Sequence, residues 1–327
     1  MEVEIADLHC DLLSYLADDE SRTPFNEEAR CSVPQLQKGR VFFQTMAIFT
    51  QTEKQAVRSA QKQFEIFCTL PNIYPQTFAH LTSLQIPKPD GRVYIALAIE
   101  NASGLCDENE SLEKGFIRFS RYQTMGGPII YISLTWNQEN RFAGGNLSKV
   151  GLKRDGELFL EYLEGKRSAI DLSHTSDRSA YDILNYIDKK GLKVIPIASH
   201  SNFRAICNQP RNLPDEIAQE ILKRRGVIGL NFFKAFVGKN LPDDFMRQVE
   251  YARSVGALNQ FCFGADFFYD QQLPTSFYPP PFYYKPFSNA GCYPHLITYL
   301  NEILSQKEIE QIAHENLRDF FEILGAS

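Results

Sequence analysis

Apolar runs with the length of strands alternate along the chain with segments that have helical periodicity. Eight of these runs are rich in β-branched and aromatic residues. The first ends at residues 7–11, and the others are 42–49, 93–100, 128–136, 168–174, 194–200, 226–233 and 261–266. Between them, apolar residues share one helical face, as do Ala180, Ile183, Leu184 and Ile187 or Phe245, Val249 and Ala252. Eight strands alternating with helices predict a (β/α)8 TIM barrel with its active site at the carboxyl ends of the strands.

Five of the eight predicted strands end in residues that bind metals or move protons. They are His9 with Asp11, Glu100, His174, His200 and Asp266. Alternate side chains of a strand share a face, so His9 and Asp11 are expected to point the same way. By the same rule Ala96 and Ala98 share the face of Glu100, and small residues there suit a crowded barrel interior. We therefore expect all six side chains at one end of the barrel.

This residue set predicts a centre of two divalent ions. His9 and Asp11 are predicted to bind one ion, His174 and His200 the other, and Glu100 both, with an open position for water. A hydroxide shared by two cations stays deprotonated near neutral pH and remains nucleophilic, and Asp266 is then free to move a proton. A single histidine near a strand end is as readily a satisfied core residue as a ligand. Three histidines and three carboxylates at one barrel end favour the metal interpretation.

Composition and charge limit the other possibilities. The 327 residues suffice for one barrel, and the absence of a linker-like run predicts a single domain over 1–327. The net charge of −6 argues against nucleic acid or an anionic membrane as partner. The first residues lack a signal-peptide pattern, and no apolar run approaches the ~18 residues of a membrane span. Seven cysteines without a CxxC pair predict reduced thiols and a cytoplasmic location. His80, His295 and His314 are predicted to lie outside the site, His80 in a helix or loop.

Several motifs in order resemble the membrane dipeptidase (renal dipeptidase) family of metal-dependent barrel hydrolases. Residues 7–11 (DLHCD) resemble its opening D-x-H-x-D, and 99–101 (IEN) stand at the position of its bridging glutamate. Residues 170–176 (IDLSHTS) and 198–201 (ASHS) resemble its D-x-S-H and S-H-S segments, and 263–267 (FGADF) its G-x-D-F motif. The resemblance covers nearly the whole chain.

The resemblance implies a zinc-dependent dipeptidase with two Zn²⁺ per chain that cleaves the amide bond of small dipeptides. It assigns His9 and Asp11 to one zinc, His174 and His200 to the other, Glu100 to both, and proton transfer to Asp266. It also implies that Arg211 binds the terminal carboxylate of the substrate, because a guanidinium meets both oxygens at once. A homodimer is expected by the same analogy. The alternative for Arg211 is a solvated loop arginine.

Two positions depart from the family pattern. Trp136 replaces a family histidine that is thought to stabilise the tetrahedral oxyanion, and an indole offers one N–H and no charge. Asn137 or Asn140 is a candidate donor in its place, and a metal alone can polarise a carbonyl. Phe233 stands where the family often has a tyrosine near the substrate, which keeps an apolar wall and loses the hydroxyl.

Two loops are predicted at the mouth of the site. Residues 271–293 are rich in proline and aromatic residues and follow the last strand, where barrel loops border the active site. They are interpreted either as a substrate-covering loop, which would also contact a second subunit, or as a structural loop on the barrel rim. Residues 18–30 form a polar loop over the same face.

Three functions remain open from the sequence. The first is a zinc dipeptidase. The second is another barrel metallohydrolase that acts on a lactone, an N-acyl amino acid or a cyclic amide. The third is a catalytically silent barrel, against which the complete set of candidate ligands argues.

Overall fold

The computed structural model describes residues 2–240, 242–272 and 278–327. Within these residues, nine parallel strands belong to one sheet. They are β1 (Ile5–Cys10), β2 (Val41–Phe49), β3 (Phe78–His80), β4 (Val93–Glu100), β5 (Ile129–Ser133), β6 (Ala169–Asp171), β7 (Pro196–Ile197), β8 (Ile228–Leu230) and β9 (Phe261–Phe263).

Eight of these strands form a ring. The order β7-β6-β5-β4-β2-β1-β9-β8 joins them side by side, and a parallel bridge between Ala198 and Ile228 closes the gap between β7 and β8. The predicted (β/α)8 barrel is therefore confirmed. The additional strand β3 pairs with the first half of β4. The prediction that His80 lies in a helix or loop is wrong, because His80 ends β3 and its Nε2 bonds the carbonyl of Phe67 at 2.9 Å.

Helices follow most strands and cover the outside of the ring. The α-helices are α1 (Leu12–Asp18), α2 (Val33–Lys38), α3 (Ala56–Ile73), α4 (Leu112–Gly126), α5 (Arg154–Leu163), α6 (Asp177–Lys190), α7 (Asp215–Lys223), α8 (Lys234–Val237), α9 (Asp243–Ser254), α10 (Tyr293–Leu300), α11 (Gln306–Glu310) and α12 (Asn316–Ala326). Short 3-10 helices occupy Glu27–Ala29, Ala102–Gly104, Leu258–Gln260, Asp270–Gln272, Lys285–Phe287 and Ala290–Cys292, and a π turn at Gln311–Glu315 joins α11 to α12.

Helix α6 shows why the sequence folds in this way. The Ser176 side chain accepts a hydrogen bond from the backbone N–H of Ser179 and so satisfies a donor of the first turn. Gly191 ends the helix at φ 64°, a conformation that favours glycine. The predicted apolar face is buried against the barrel, as is that of α9.

The apolar core has an inner and an outer layer. Ala96, Ala98 and Cys262 belong to the cluster inside the ring, as their strand parity predicts, together with Phe320 and Phe321 of α12. The larger cluster lies between the ring and the outer helices. In the described part of the chain all seven cysteines are free thiols, and no helix is both long and apolar enough to cross a membrane.

Three of the strands that lead to candidate site residues are shorter than predicted. The predictions 168–174, 194–200 and 261–266 correspond to β6 with three residues, β7 with two and β9 with three. His174, His200 and Asp266 therefore lie on the loops that follow the strands. His174 and Asp266 have positive φ values of 66° and 63°, an uncommon conformation outside glycine that often occurs at functional sites.

Candidate active site

A cavity of about 300 Å³ opens at the carboxyl ends of the strands. Five carboxylates line it, those of Asp11, Asp18, Glu53, Glu100 and Asp266. Trp136, Asn137 and His174 form another part of its wall. Phe233, Phe236, Phe268 and Tyr278 form an aromatic side.

At the base of the cavity, Glu100 lies between His9 on one side and His174 with His200 on the other. Its Oε2 is 3.3 Å from Nε2 of His9, and its Oε1 is 2.9 Å from Nε2 of His174 and 3.8 Å from Nε2 of His200. Nε2 of His9 is also 3.6 Å from Oδ2 of Asp11. The structure thus brings together the six side chains that the sequence singled out. Three overlapping groups can hold an ion: His9-Asp11-Glu100, Glu100-His174-His200 and His9-His200-Asp266.

Each histidine is fixed through Nδ1, which leaves Nε2 for the centre of the site. Nδ1 of His9 is 2.6 Å from the hydroxyl of Tyr131, which itself donates to the carbonyl of Leu8. The corresponding acceptors are Oδ1 of Asn137 for His174, at 2.9 Å, and Oγ of Ser199 for His200, at 2.6 Å. In the neutral imidazole Nδ1 is then the protonated nitrogen, and Nε2 presents a lone pair, as a metal-binding imidazole must.

The donors fit a divalent ion. Nε2 of His9 and Oδ1 of Asp11 are buried and have no hydrogen-bond partner among the described residues, although such atoms are normally paired. Imidazole nitrogens together with carboxylate oxygens are ligands that suit Zn²⁺.

The electrostatics of the surrounding residues also favour a cation at this site. Burial, with the neighbouring carboxylate of Glu100, raises the pKa of Asp11 to about 6. Burial acts to raise the pKa of Glu100 as well, yet the facing imidazoles of His9 and His174 hold it well below its usual range. Burial lowers the pKa of His174 to about 4 and that of His200 well below its usual value. His174 and His200 are therefore neutral at neutral pH, the state in which an imidazole binds a metal.

Asp266 is held beside His9 by contacts with neighbouring strands. Its Oδ1 is 3.5 Å from Nε2 of His9, and its Oδ2 accepts a hydrogen bond of 2.8 Å from the amide of Asn231. Tyr283 donates its hydroxyl proton to the backbone carbonyl of Asp266. Burial raises the pKa of Asp266 to about 8. The position is compatible with proton transfer and also with a third ligand to the ion nearest His9 and His200.

Arg211 lies next to the cavity and is buried, with only 4% of its surface exposed. Its Nη1 donates to Oγ of Ser201 at 2.6 Å and its Nη2 to the carbonyl of His200 at 3.2 Å, and its guanidinium lies 5.6 Å from the ring centre of Phe236. Nε has no partner, and no carboxylate of the described residues forms an ion pair with this side chain. The carboxylates of Asp266, Asp171 and Glu100 act on it only at a distance. A buried cation without direct anionic contact is costly, so this environment favours an anionic ligand.

The two asparagines near Trp136 differ in what they can offer a substrate. Asn140 is buried, and its amide nitrogen donates to Asn101, Ser103 and Leu134 while its oxygen accepts from two backbone N–H groups. Asn137 lines the cavity, and among the described residues only the oxygen of its side-chain amide has a hydrogen-bond partner, Nδ1 of His174. The ring of Trp136 packs 6.1 Å from that of His174 and 5.1 Å from that of Phe49.

Both predicted loops reach the site where the structure describes them. Residues 273–277 of the loop 271–293 lie outside the described residues. Of the remainder, Tyr278 lines the cavity and packs edge-to-face on Phe233, and Tyr283 bonds Asp266. Asp18 of the loop 18–30 also lines the cavity, and Arg30 joins the two loops by donating a hydrogen bond of 2.9 Å to the carbonyl of Ser288.

The residues that orient the ligands were not identified from the sequence. Tyr131 and Ser199 contact His9 and His200, and Asn231 contacts Asp266. Tyr131 was only part of a predicted strand, and its partner lies 122 residues away in the chain. Ser199 could have been considered, because it directly precedes a ligand in the motif ASHS.

The amino-acid sequence is similar to those of one protein family and of several curated proteins. The family described as membrane dipeptidase (peptidase family M19) matches residues 1–323. An uncharacterized protein in the PQQ-III 3' region of Acinetobacter calcoaceticus is 26% identical over 216 residues, which are 63% of this chain and 63% of that protein. The chain matches 62–63% of the length of the curated relatives, less than two thirds.

Solved structures share the fold over nearly their whole length. A dipeptidase AC, described as a metallo peptidase of family M19, has a TM-score of 0.85 at 16% identity and covers 100% of both chains. A metallo peptidase from Rhodobacter sphaeroides, liganded with a phosphinate mimic of the dipeptide L-Ala-D-Ala, has a TM-score of 0.84 at 15% identity and covers 98% of this chain and 99% of its own. The resemblance noted in the sequence is confirmed by the family match: the chain belongs to the membrane dipeptidase family, peptidase family M19.

Proposed function

We propose that this protein is a zinc-dependent dipeptidase that hydrolyses the amide bond of small dipeptides. The observation that carries the proposal is the position of Glu100, whose two carboxylate oxygens face different histidine groups at the base of one cavity. A carboxylate in this position is suited to bridge two ions. Family membership gives the reaction class, and the residues of the cavity give the roles described below.

One Zn²⁺ is assigned to His9, Asp11 and Glu100, and the other to Glu100, His174 and His200. The unpartnered Nε2 of His9 and Oδ1 of Asp11 support this assignment. When bound, the two ions would supply the nucleophile by lowering the pKa of a shared water molecule and would polarise the scissile carbonyl.

Asp266 is the proposed proton carrier of the reaction. It would take a proton from the attacking water and deliver it to the amide nitrogen as the C–N bond breaks. Asn231 fixes one of its oxygens and leaves the other directed toward His9. Nearby cations would lower the pKa that burial raises, so that Asp266 is ionised and can accept the proton.

The substrate is proposed to lie between Arg211 and the aromatic side of the cavity. Arg211, which has no carboxylate partner among the described residues, would bind the terminal carboxylate. Phe233 would provide an apolar wall. Trp136 and the free amide nitrogen of Asn137 would border the scissile bond, Asn137 as a hydrogen-bond donor. A homodimer and a cytoplasmic location stay predictions from the sequence.

A panel of L,L, L,D and D,D dipeptides assayed with zinc tests this function. The D-configured members are included because a structural neighbour carries a mimic of L-Ala-D-Ala. An N-acyl amino acid, a lactone and a cyclic amide serve as comparison substrates. Hydrolysis confined to the comparison substrates would favour another barrel metallohydrolase, and fewer than one zinc per chain would favour a silent barrel.

Substitution of Arg211 distinguishes a dipeptidase from a hydrolase whose substrate has no free carboxylate. Arg211→Ala should raise KM for dipeptides about 10–100-fold, the effect of losing one charged hydrogen-bonded contact, and change little for a lactone without a carboxylate. Arg178→Ala is the control, because Arg178 is an exposed arginine whose ion pair with Asp182 lies outside the cavity. Equal KM changes in both variants would contradict the assignment of Arg211.

A further inference from the structure

Behind the metal-binding histidines lies a buried hydrogen-bond network that the proposed mechanism does not use. Its centre is Asp171, the last residue of β6, which is fully buried. The carboxylate accepts from the hydroxyl of Ser133 at 2.8 Å and from the hydroxyl of Ser199 at 2.6 Å. It also accepts from the backbone N–H groups of Ser173 and Ser199. One side chain thus connects the ends of β5 and β6 with the segment after β7, directly beneath the site.

In the described part of the chain this carboxylate has no direct ion-pair partner, and the buried guanidinium of Arg211 acts on it only at a distance. Among the described residues no lysine, arginine or histidine forms an ion pair with Asp171. Burial of an isolated carboxylate is unfavourable, and four hydrogen bonds offset only part of that cost. A neutral side chain could connect three strands as well. The carboxylate is therefore suited to stabilise a positive charge on a group that it reaches through a hydrogen bond.

The direction of the hydrogen bonds identifies where that positive charge would arise. The Ser199 hydroxyl gives its proton to Asp171 and can therefore only accept from Nδ1 of His200, 2.6 Å away. Nδ1 must then carry the imidazole proton, and Nε2, which faces Glu100 and His174, is bare. A cation on Nε2 makes the Nδ1 proton more positive, and a carboxylate reached through one hydroxyl stabilises that polarisation.

The other two histidines have different direct partners, although Tyr131 also lies close to Ser199 and Asp171. Nδ1 of His9 meets the hydroxyl of Tyr131, also at 2.6 Å, and that hydroxyl ends on the neutral carbonyl of Leu8. Nδ1 of His174 meets the amide oxygen of Asn137. We infer that Asp171, acting through Ser199, is a positioning residue for His200. It affects the affinity of the ion at Glu100, His174 and His200 much more than that of the ion at His9. This inference rests on the proposed two-metal function.

The test measures zinc affinity at each position separately, without substrate. In an Asp11→Ala background only the zinc site formed by Glu100, His174 and His200 keeps all its proposed ligands. In a His174→Ala background only the zinc site formed by His9, Asp11 and Glu100 does. Ser199→Ala and Tyr131→Phe are introduced into both backgrounds, and affinity is measured by competition with a zinc chelator. The two substitutions form a matched pair, because each removes one hydroxyl 2.6 Å from one Nδ1.

In the Asp11→Ala background Ser199→Ala should weaken zinc binding about 10–100-fold, the usual effect of losing a hydrogen bond to a metal ligand. In the His174→Ala background the same substitution should weaken it less than about twofold. Tyr131→Phe should show the opposite pattern. Asp171→Asn, measured in the same way, replaces Ser199→Ala if that variant does not fold. Equal weakening in both backgrounds would show a general structural role, and no weakening in either would also overturn the inference. Failure of the unsubstituted chain to bind zinc would contradict the proposed function itself.

Discussion

The two ends of the barrel are built in opposite ways. At the amino-terminal end of the strands, α12 covers the ring, and its Phe320 and Phe321 are buried in the inner apolar cluster, with the Phe321 ring edge-to-face on that of Phe43 at 5.3 Å. At the carboxyl-terminal end many of the buried side chains are charged or polar, beside the aromatic side of the cavity. Some of their polar atoms have no hydrogen-bond partner in the described part of the chain, and His174 and Asp266 adopt left-handed backbone conformations.

The residues that stabilise the fold and the candidate active-site residues therefore lie at opposite ends of the barrel axis. Burial of an aromatic ring at the closed end stabilises the fold whether or not a ligand is bound. The crowded carboxylates and strained residues at the open end reduce the stability of the protein alone and become favourable when cations bind. Substitutions at the two ends should therefore change different observables.

The largest effect is expected from removal of a metal ligand at the open end. His174→Ala should abolish hydrolysis and lower bound zinc from two ions toward one per chain, while the metal-free barrel melts within a few degrees of the parent. Metal analysis and dipeptide turnover measure this. His295→Ala is the control, because His295 is an exposed histidine stacked on Phe287 away from the site. Two zincs and near-normal turnover in His174→Ala would refute its assignment as a ligand.

Loss of the proton carrier should lower the rate and spare the metals. Asp266→Asn keeps the shape and removes the proton acceptor, so kcat should fall about 10²–10⁴-fold, the usual contribution of general acid–base catalysis. Zinc content should remain at the parent value. Loss of zinc would identify Asp266 as a ligand. Unchanged kcat with a lower melting temperature would identify a structural role.

The closed end should respond in the opposite sense. Phe321→Ala should lower the free energy of unfolding by about 3–5 kcal/mol, as for a fully buried phenylalanine that leaves a cavity. Zinc per chain and kcat of the folded fraction should stay unchanged. Denaturant unfolding and metal analysis on the same sample measure both. A fall in zinc affinity in this variant would show that the two ends are not independent.

The sequence predicted those parts of the molecule that depend on local pattern. Strand β4 has the predicted bounds Val93–Glu100, because its alternation of small and large apolar residues continues to the end. The set of candidate metal ligands was predicted because parallel strands bring their ends to one face of the barrel. That the six side chains lie together follows from the topology, and their roles remain proposals.

Other features depend on contacts that a sequence pattern does not contain. Ala6 and Leu8 both belong to the inner cluster, so regular alternation would direct His9 outward. A shift in pairing between Asp7 and Cys10 changes the parity and brings His9 to the site. The short β6 and β7, and the pairing of Tyr131 with His9, likewise arise from packing between strands far apart in the chain.

The smallest effect is a pH dependence of stability that only the open end should produce. In the metal-free protein burial raises the pKa of Asp266 to about 8, above its unfolded value of 3.8. Burial lowers the pKa of His9, but the facing Tyr131 and Glu100 outweigh it and bring the pKa well above 6.5. Between about pH 7 and pH 8 the folded state therefore holds more protons than the unfolded state. The free energy of unfolding should fall as pH rises, by at most about 1.4 kcal/mol per pH unit for each proton.

The neighbouring histidines do not reverse this slope. The lowered pKa values of His174 and His200 make stability rise with pH, but mainly below pH 7, where an unfolded histidine still binds a proton. Denaturant unfolding in the presence of a chelator should show the fall, and Asp266→Asn should reduce it. Saturating zinc should reverse the slope, because the metal binds deprotonated ligands and only the folded state has the site. Phe321→Ala should lower the free energy of unfolding by the same amount at every pH and so leave the slope unchanged. A free energy of unfolding that does not change with pH in the metal-free parent would contradict the raised pKa values at the open end.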